Sequence, residues 1–272
     1  MNDTSLKRPA LLLVAAAALF ALAAAGCSAE RKERALYRQA MIALDDGLDG
    51  AAVEYLTRFL VKYPDSPLIE DCLFQRGTIY YLYQGRYQEA VSDFREQLAR
   101  FPEGERAYQA RKNIAEILEN KVGNCRGAIA EYQRLITDFE TIFGDDEAQL
   151  RIANCYFELM NFEQSILEYQ ILIDRYQTSP LVPEAYFRIA TAYQTAGELV
   201  DAERSWRTYL ARYPDGGLRL DAMFGLASTL EEKEDLTEAL AIYQEIFDAY
   251  ENKEAITWRI ERVRERQRLR GR

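Results

Sequence analysis

A small residue returns along the chain at an almost fixed interval. Six such residues follow one another every 37 or 38 positions: Ala40, Gly77, Ala115, Ala153, Ala190 and Ala227. A second small residue lies about twelve positions after each, at Ala52, Ala90, Ala128, Ser165, Ala202 and Ala239. Four positions later comes a large residue: Leu56, Phe94, Tyr132, Tyr169, Trp206 and Tyr243. A period of about 20–50 residues is typical of a repeat array. The sequence therefore predicts a solenoid rather than one compact domain.

Each repeat is predicted to be a pair of helices. Between Pro183 and Pro214, apolar residues recur three and four positions apart, which places them on one face of a helix. Gly197 is expected to end the first helix, and Pro214 to end the second because proline lacks an N–H donor. The small residues are expected where two helices cross, since a larger side chain there would hold the backbones apart.

This pattern resembles the tetratricopeptide repeat. The tyrosine of that family's first helix is present as Tyr80, Tyr156 and Tyr193, and its closing proline as Pro64, Pro102 and Pro214. The resemblance covers residues 33–251, with one extra residue inside the second and third repeats. It implies an all-α fold, a tetratricopeptide-like α-solenoid of about six helix pairs. Such arrays serve many unrelated tasks, so fold alone does not name a function.

The carboxyl-terminal segment 252–272 is predicted to be a basic capping helix. Ile256, Ile260 and Val263 recur at helical spacing, and a terminal repeat needs a cover with a polar outer face. We expect the segment from Arg264 to Arg272 to fray because it is too polar to bury. The alternative is a basic arm that docks on an acidic partner or on lipid phosphates.

The amino terminus has the pattern of an export signal. Lys7 and Arg8 precede an apolar run over 11–25, which is too short to span a bilayer but fits the core of a signal peptide. The segment 24–27, Ala-Ala-Gly-Cys, resembles the lipobox of bacterial lipoproteins. That resemblance implies a signal peptide over 1–26, cleavage before Cys27, and lipidation of Cys27 with diacylglycerol and an acyl chain such as palmitate.

These features predict a lipid-anchored protein on the periplasmic face of the bacterial outer membrane. Segment 27–32 would be a short tether, and Ser28 after the cysteine points to the outer membrane under the enterobacterial sorting rule. Each buried CH₂ contributes about 0.8 kcal/mol, so two or three acyl chains on Cys27 anchor a protein firmly. The alternative is an ordinary secretory signal cleaved after Ala25, which would leave an unanchored protein.

Three further cysteines would lie in the oxidising periplasm. Cys72, Cys125 and Cys155 are odd in number, so they cannot all pair with one another. Cys125 and Cys155 are each predicted near the end of a helix in adjacent repeats. The sequence leaves open whether they form a disulfide or stay as small buried thiols. Their spacing argues against a metal site.

Composition excludes several classes of function. The chain has no histidine, which removes the commonest general base and the usual zinc ligand. It has no phosphate-binding glycine motif, and its net charge of −10 argues against nucleic-acid binding. We therefore expect a protein that is not an enzyme, with no catalytic residues, no metal, no cofactor and no small-molecule substrate, and with proteins as its partners.

The partner surface is predicted on the first helices of the pairs, which line the inner face of such arrays. Aromatic residues with arginine and asparagine beside them suit an extended peptide or a helix. In charged-clamp members of the family, equivalent residues hold a terminal carboxylate. The candidate residues are Lys112, Asn113, Arg151, Asn154, Phe187, Arg188 and Phe224. The alternative for Phe187 and Phe224 is packing between helices.

A lipidated signal followed at once by repeats resembles the BamD family, the envelope lipoproteins of the β-barrel assembly machinery. The resemblance implies a scaffold in outer-membrane protein assembly. A second resemblance, through the repeat period, is to the Tol-Pal-associated periplasmic protein that coordinates cell-wall synthesis with division. A third reading is an envelope scaffold of neither pathway.

Overall fold

The computed structural model describes residues 30–139 and 145–270. The predicted signal peptide and Cys27 lie outside these residues. The chain divides into two compact units between Ile117 and Leu118. No helix of the described residues is long and apolar enough to cross a membrane.

The described residues form thirteen helices. The first, α1, spans 30–45. The others are α2 (Asp49–Lys62), α3 (Ile69–Leu82), α4 (Tyr87–Arg100), α5 (Ala107–Asn120), α6 (Cys125–Asp138), α7 (Asp145–Glu158), α8 (Phe162–Arg175), α9 (Val182–Ala196), α10 (Leu199–Arg212), α11 (Arg219–Glu232), α12 (Leu236–Ile246) and α13 (Lys253–Arg270). The predicted all-α solenoid of helix pairs with a carboxyl-terminal capping helix is confirmed.

The repeating small residues lie at the contacts between helices. All eleven repeat positions occupied by alanine or serine are buried with no exposed surface. At the twelfth, Gly77, an added Cβ would come within 2.9 Å of the Phe94 ring on the next helix. Helices this close leave no room for a branched side chain, as the sequence predicted.

The turn inside each helix pair uses one residue in the left-handed backbone region. Four of these residues are glycine: Gly47, Gly85, Gly123 and Gly197, with φ between 64° and 80°. Glycine adopts this conformation without the steric cost that Cβ imposes. Gly197 ends α9 with φ 80°, as predicted. The same turn position is Met160 (φ 57°) in the fourth pair and Glu234 (φ 69°) in the sixth.

In the second unit, a recurring side-chain hydrogen bond joins the two helices of each pair. Its donor is the large aromatic residue at the fixed repeat position on the second helix. Tyr132 donates to Glu119 at 2.7 Å and Tyr169 to Asn154 at 2.5 Å. Trp206 Nε1 donates to Gln194 at 3.2 Å and Tyr243 to Glu231 at 3.3 Å. These bonds satisfy polar groups inside an otherwise apolar contact.

The first unit contains a buried ion pair in the corresponding contact. Arg76 on α3 donates from Nε and Nη2 to both carboxylate oxygens of Asp93 on α4, at 2.7 and 2.6 Å. Burial raises the pKa of Asp93, and the Arg76 guanidinium opposes that rise. A two-point pair of this kind fixes orientation as well as distance.

The capping helix α13 covers the last helix pair. Ile256, Ile260 and Val263 are buried in the same apolar cluster as Leu230 and Tyr243. The expected fraying beyond Arg264 is wrong, because α13 continues to Arg270. Beyond Arg264, both Arg266 and Arg270 pair with carboxylates on α11 and the turn after it, and these ion pairs hold the end of α13 in place.

These partners converge on one buried carboxylate. Glu231 has no exposed side-chain surface, and it pairs with Arg259 at 3.1 Å, Arg262 at 3.0 Å and Arg266 at 3.2 Å. Glu234 pairs with Arg266 and, at 2.6 Å, with Arg270. Much of the basic charge of α13 is therefore balanced within the chain.

Candidate functional site

Two of the predicted partner-binding residues line one cavity in the second unit. This polar cavity has a volume of about 540 Å³. The side chains that matter to its chemistry are Glu119, Cys125, Asn154, Cys155, Tyr169 and Arg188. They come from α5 to α9, so the repeat itself brings together residues far apart in the sequence.

Asn154 is oriented by the aromatic residue behind it. The Tyr169 hydroxyl donates to Asn154 Oδ1 at 2.5 Å. Burial raises the pKa of Tyr169 to about 12, so the phenol stays protonated as the donor at neutral pH. Because Oδ1 accepts this bond, the amide Nδ2 is the group that Asn154 can offer as a donor to a ligand in the cavity.

The charged side chains that line the polar cavity are Arg188, Glu119 and Glu158, and the predicted residue Arg151 lies beside Glu119 outside the lining. Arg188 pairs with Glu184 on its own helix at 3.2 Å, and its guanidinium is partly exposed. Arg151 lies 3.6 Å from Glu119 and 3.9 Å from Glu147. An arginine in such exposed pairs can exchange its carboxylate for one from a partner at small cost, since surface pairs contribute about 0–1 kcal/mol.

Glu119 was missed by the sequence analysis. It accepts a hydrogen bond from Tyr132 and pairs with Arg151 at the edge of the cavity. A pattern in the repeat could have identified it, because a polar residue stands four positions after the small residue of the first helix in three repeats. These residues are Glu119, Gln194 and Glu231, after Ala115, Ala190 and Ala227. A polar residue at that position faces the aromatic of the second helix.

Cys125 and Cys155 both line the polar cavity, and both thiols are free in the structure. Burial raises the pKa of Cys155, and the neighbouring Cys125 thiol and Glu119 carboxylate add to the rise. The two thiols therefore lie at the same cavity. The predicted proximity of the two helix ends is present without a disulfide bond.

The two predicted phenylalanines lie outside the polar cavity. Phe187 is partly buried and packs edge-on against Trp206 and Tyr209, with ring centroids 5.0 and 5.8 Å away. Phe224 contacts Tyr243 at 5.5 Å and stacks on Tyr250 at 5.1 Å with an interplanar angle of 3°. Phe187 therefore packs between helices.

Phe224 also reaches a second depression, here called the C-terminal cleft. The cleft has a volume of about 880 Å³ and is lined by Phe224, Lys253, Trp258 and Arg259 among others. The exposed Trp258 ring lies under the guanidinium groups of Arg259 and Arg262, at 5.4 and 5.1 Å. The C-terminal cleft thus combines two aromatic side chains with two basic and two acidic ones, the acidic pair being Glu254 and Glu261.

The remaining predicted residues belong to the first unit. Lys112 lies 3.9 Å from Glu116 on the same helix. Asn113 is buried, and its Oδ1 accepts a hydrogen bond from Gln109 at 2.8 Å. Because Asn113 is buried and hydrogen-bonded within α5, its side chain is not exposed for contact with a partner.

Within residues 30–139 and 145–270, no three side chains of histidine, cysteine, aspartate or glutamate come together as metal ligands. The polar cavity instead offers an amide, a guanidinium and a carboxylate. These groups bind peptide bonds and charged side chains through hydrogen bonds.

Comparison with known proteins decides the family. One tetratricopeptide-repeat model matches residues 79–121 and 187–253, and a second matches 34–66 and 147–179. The chain belongs to the tetratricopeptide-repeat family. Tetratricopeptide repeats typically bind protein partners, and the fold generally serves as a non-catalytic interaction scaffold.

Solved tetratricopeptide-repeat structures resemble this one at low sequence identity. A protein from Parabacteroides merdae ATCC 43184 is 18% identical with a TM-score of 0.55, and 87% of each chain is covered. The C-terminal part of a repeat protein from Cytophaga hutchinsonii is 18% identical with a TM-score of 0.56 over 78% of each chain. PilW, a widely conserved type IV pilus biogenesis factor, is 17% identical with a TM-score of 0.51, over 83% of this chain and 98% of its own. These likenesses show the fold. A search of curated proteins finds no match.

Proposed function

We propose that this repeat protein is a non-catalytic scaffold of the bacterial envelope, anchored by lipid on Cys27 at the periplasmic face of the outer membrane. Its role in this proposal is the assembly of outer-membrane β-barrel proteins. The partner is a protein segment that binds the polar cavity, and the anchor holds the repeats close to the membrane where the barrels insert.

The observation that carries the binding role is the composition of the polar cavity. Asn154 is held in place by Tyr169, and Arg188 lies at the cavity with a partly exposed guanidinium. A fixed amide beside a partly exposed guanidinium favours a peptide that ends in, or carries, a carboxylate. A rigid polar group also lowers the entropy lost on binding.

The envelope location rests on the amino-terminal sequence. The basic residues Lys7 and Arg8, the apolar run over 11–25 and the cysteine at position 27 follow the order of a lipoprotein signal. Replacement of Cys27 by alanine tests this part separately. Loss of labelling by a palmitate analogue together with release from the outer membrane supports the anchor, and unchanged sedimentation with the outer membrane contradicts it.

The binding role is tested by affinity purification from detergent-solubilised membranes. The wild-type protein is compared with Arg188→Ala, and with Arg268→Ala as a matched control that removes an exposed arginine on α13 far along the chain. We expect a defined partner that is lost with Arg188→Ala and kept with Arg268→Ala. Equal recovery with both variants would exclude the polar cavity as the binding site.

Depletion of the protein distinguishes the envelope pathways. A fall in outer-membrane porins supports the assembly role. Normal porins in chained, undivided cells would instead support the Tol-Pal-associated role in cell division. Normal porins and normal division would leave a scaffold of neither pathway and contradict the assembly proposal.

A further inference from the structure

Another cavity, distinct from the polar cavity and the C-terminal cleft, lies at the turn between α7 and α8 in the second unit. This turn cavity has a volume of about 520 Å³, within the range of about 300–1,000 Å³ in which protein pockets hold ligands and anchor side chains. Phe162, Ile166 and Tyr193 line its apolar part. Ile166 and Tyr193 rest on the buried cluster of Leu172 and Ala185, so this surface is fixed by the core.

Met160 stands at the edge of this cavity in an unusual position. It occupies the left-handed turn position that is glycine in four other repeats, and 74% of its surface is exposed. The other non-glycine residue at this position, Glu234, forms ion pairs with Arg266 and Arg270. Met160 is an apolar side chain that protrudes into solvent at a conformational cost of about 1 kcal/mol.

The charge around the turn cavity has one sign. Glu163, Glu198 and Asp201 line it, and no basic residue of the described part of the chain does so; Asp201 forms an exposed ion pair at 2.7 Å with Arg204, which lies outside the cavity lining. Glu163 and Asp201 also lie in the first turns of α8 and α10, where a negative charge is favourable. The three carboxylates also form an acidic rim around the apolar floor of the turn cavity.

We propose that the turn cavity is a docking site for a basic segment of a partner protein, with a pair of large apolar side chains flanked by lysine or arginine. The apolar pair packs on Ile166, Phe162 and the flexible Met160 side chain. The basic residues pair with Glu163 and Glu198, and at Asp201 they replace the exposed Arg204. Methionine is suited to this role because its unbranched thioether adapts to differently shaped partners. The site is separate from the polar cavity and does not depend on the envelope role.

The decisive variant is Met160→Gly. A purely structural role predicts a gain or no change, because glycine is the residue that the turn conformation favours. A docking role predicts weaker binding in a protein of equal or higher stability. The matched control is Leu167→Ala, which shortens an exposed apolar residue on α8 that does not line the cavity.

Binding is measured by fluorescence anisotropy with labelled peptides at 150 mM salt. The probe is GKRFLKRG, and the comparison peptides are GKRSSKRG, which lacks the apolar pair, and GEEFLEEG, which reverses the charge. We expect GKRFLKRG to bind the wild-type chain at least about ten-fold more tightly than either comparison peptide. Met160→Gly should weaken that binding about ten-fold, and Leu167→Ala should leave it unchanged.

Three results would overturn the proposal. Equal affinity for GKRSSKRG would show attraction to the net negative charge of the chain and nothing more. Unchanged binding by Met160→Gly would exclude the turn cavity. Loss of GKRFLKRG binding in Arg188→Ala would place the peptide in the polar cavity instead. If Arg188→Ala loses the native partner but still binds GKRFLKRG, the result bears on the proposed function and leaves the turn cavity proposal standing.

Discussion

Replacement of Glu231 by glutamine should loosen the capping helix α13. The substitution keeps the size of the side chain but removes the charge that three arginines of α13 share. Breaking a buried ion pair costs about 3–5 kcal/mol when the remaining charge is fully buried. Here Arg259, Arg262 and Arg266 stay 23%, 44% and 26% exposed, so water replaces part of the lost interaction. We therefore expect a loss of about 2 kcal/mol.

The assay is thermal unfolding together with hydrogen exchange. A loss of about 2 kcal/mol lowers the midpoint by about 4–8 °C in a unit of this size. The amides of α13 should exchange faster, while those of α8 should not. The control is Glu232→Gln, the same charge change at the next, exposed position. Equal midpoints and equal α13 exchange in the two variants would refute the idea that one buried carboxylate holds the cap.

Three further predictions concern single contacts. Tyr132→Phe removes the hydroxyl that donates to the Glu119 carboxylate, which is only 13% exposed, and should cost about 1.5–3 kcal/mol in urea unfolding; a loss near zero would contradict this contact. Gly225→Ala should destabilise by about 1–3 kcal/mol despite its better helix propensity, because the new Cβ would lie 2.6 Å from the Trp206 ring; a stability gain would contradict this packing. Burial raises the pKa of Cys72 to about 12, so at pH 8 its thiolate is scarce and iodoacetamide should label it at least about 100-fold more slowly than in urea; rapid native labelling would disprove its burial.

The helix pairs could be predicted from the sequence because the signal repeats. Small residues such as Ala190 recur at one interval, and each sits at a helix contact whose geometry allows nothing larger. Gly197 could be placed at a helix end for the same local reason, since its left-handed conformation is a property of the turn itself.

The polar features of the structure could not be predicted in the same way. The pairing of Glu231 with three arginines depends on how α13 packs over α11. No local sequence pattern predicts which residues of the two helices come into contact. The predicted fraying of α13 failed because those arginines were counted as solvated. The candidate site was predicted in part, since Asn154 and Arg188 line one cavity. Glu119 and Tyr169, which shape that cavity, could be recognised in the sequence only as repeat positions and not as part of a site.

The most direct test of the account compares two alanines on α10. Ala202 is a repeat position with no exposed surface, and Ala211 is exposed on the opposite face of the same helix. Urea unfolding followed by circular dichroism should show that Ala202→Leu costs about 1–3 kcal/mol, because leucine forces the helices apart. Ala211→Leu should change stability by less than about 0.5 kcal/mol. Equal stabilities for the two variants would contradict the claim that close helix contact at small residues builds this fold.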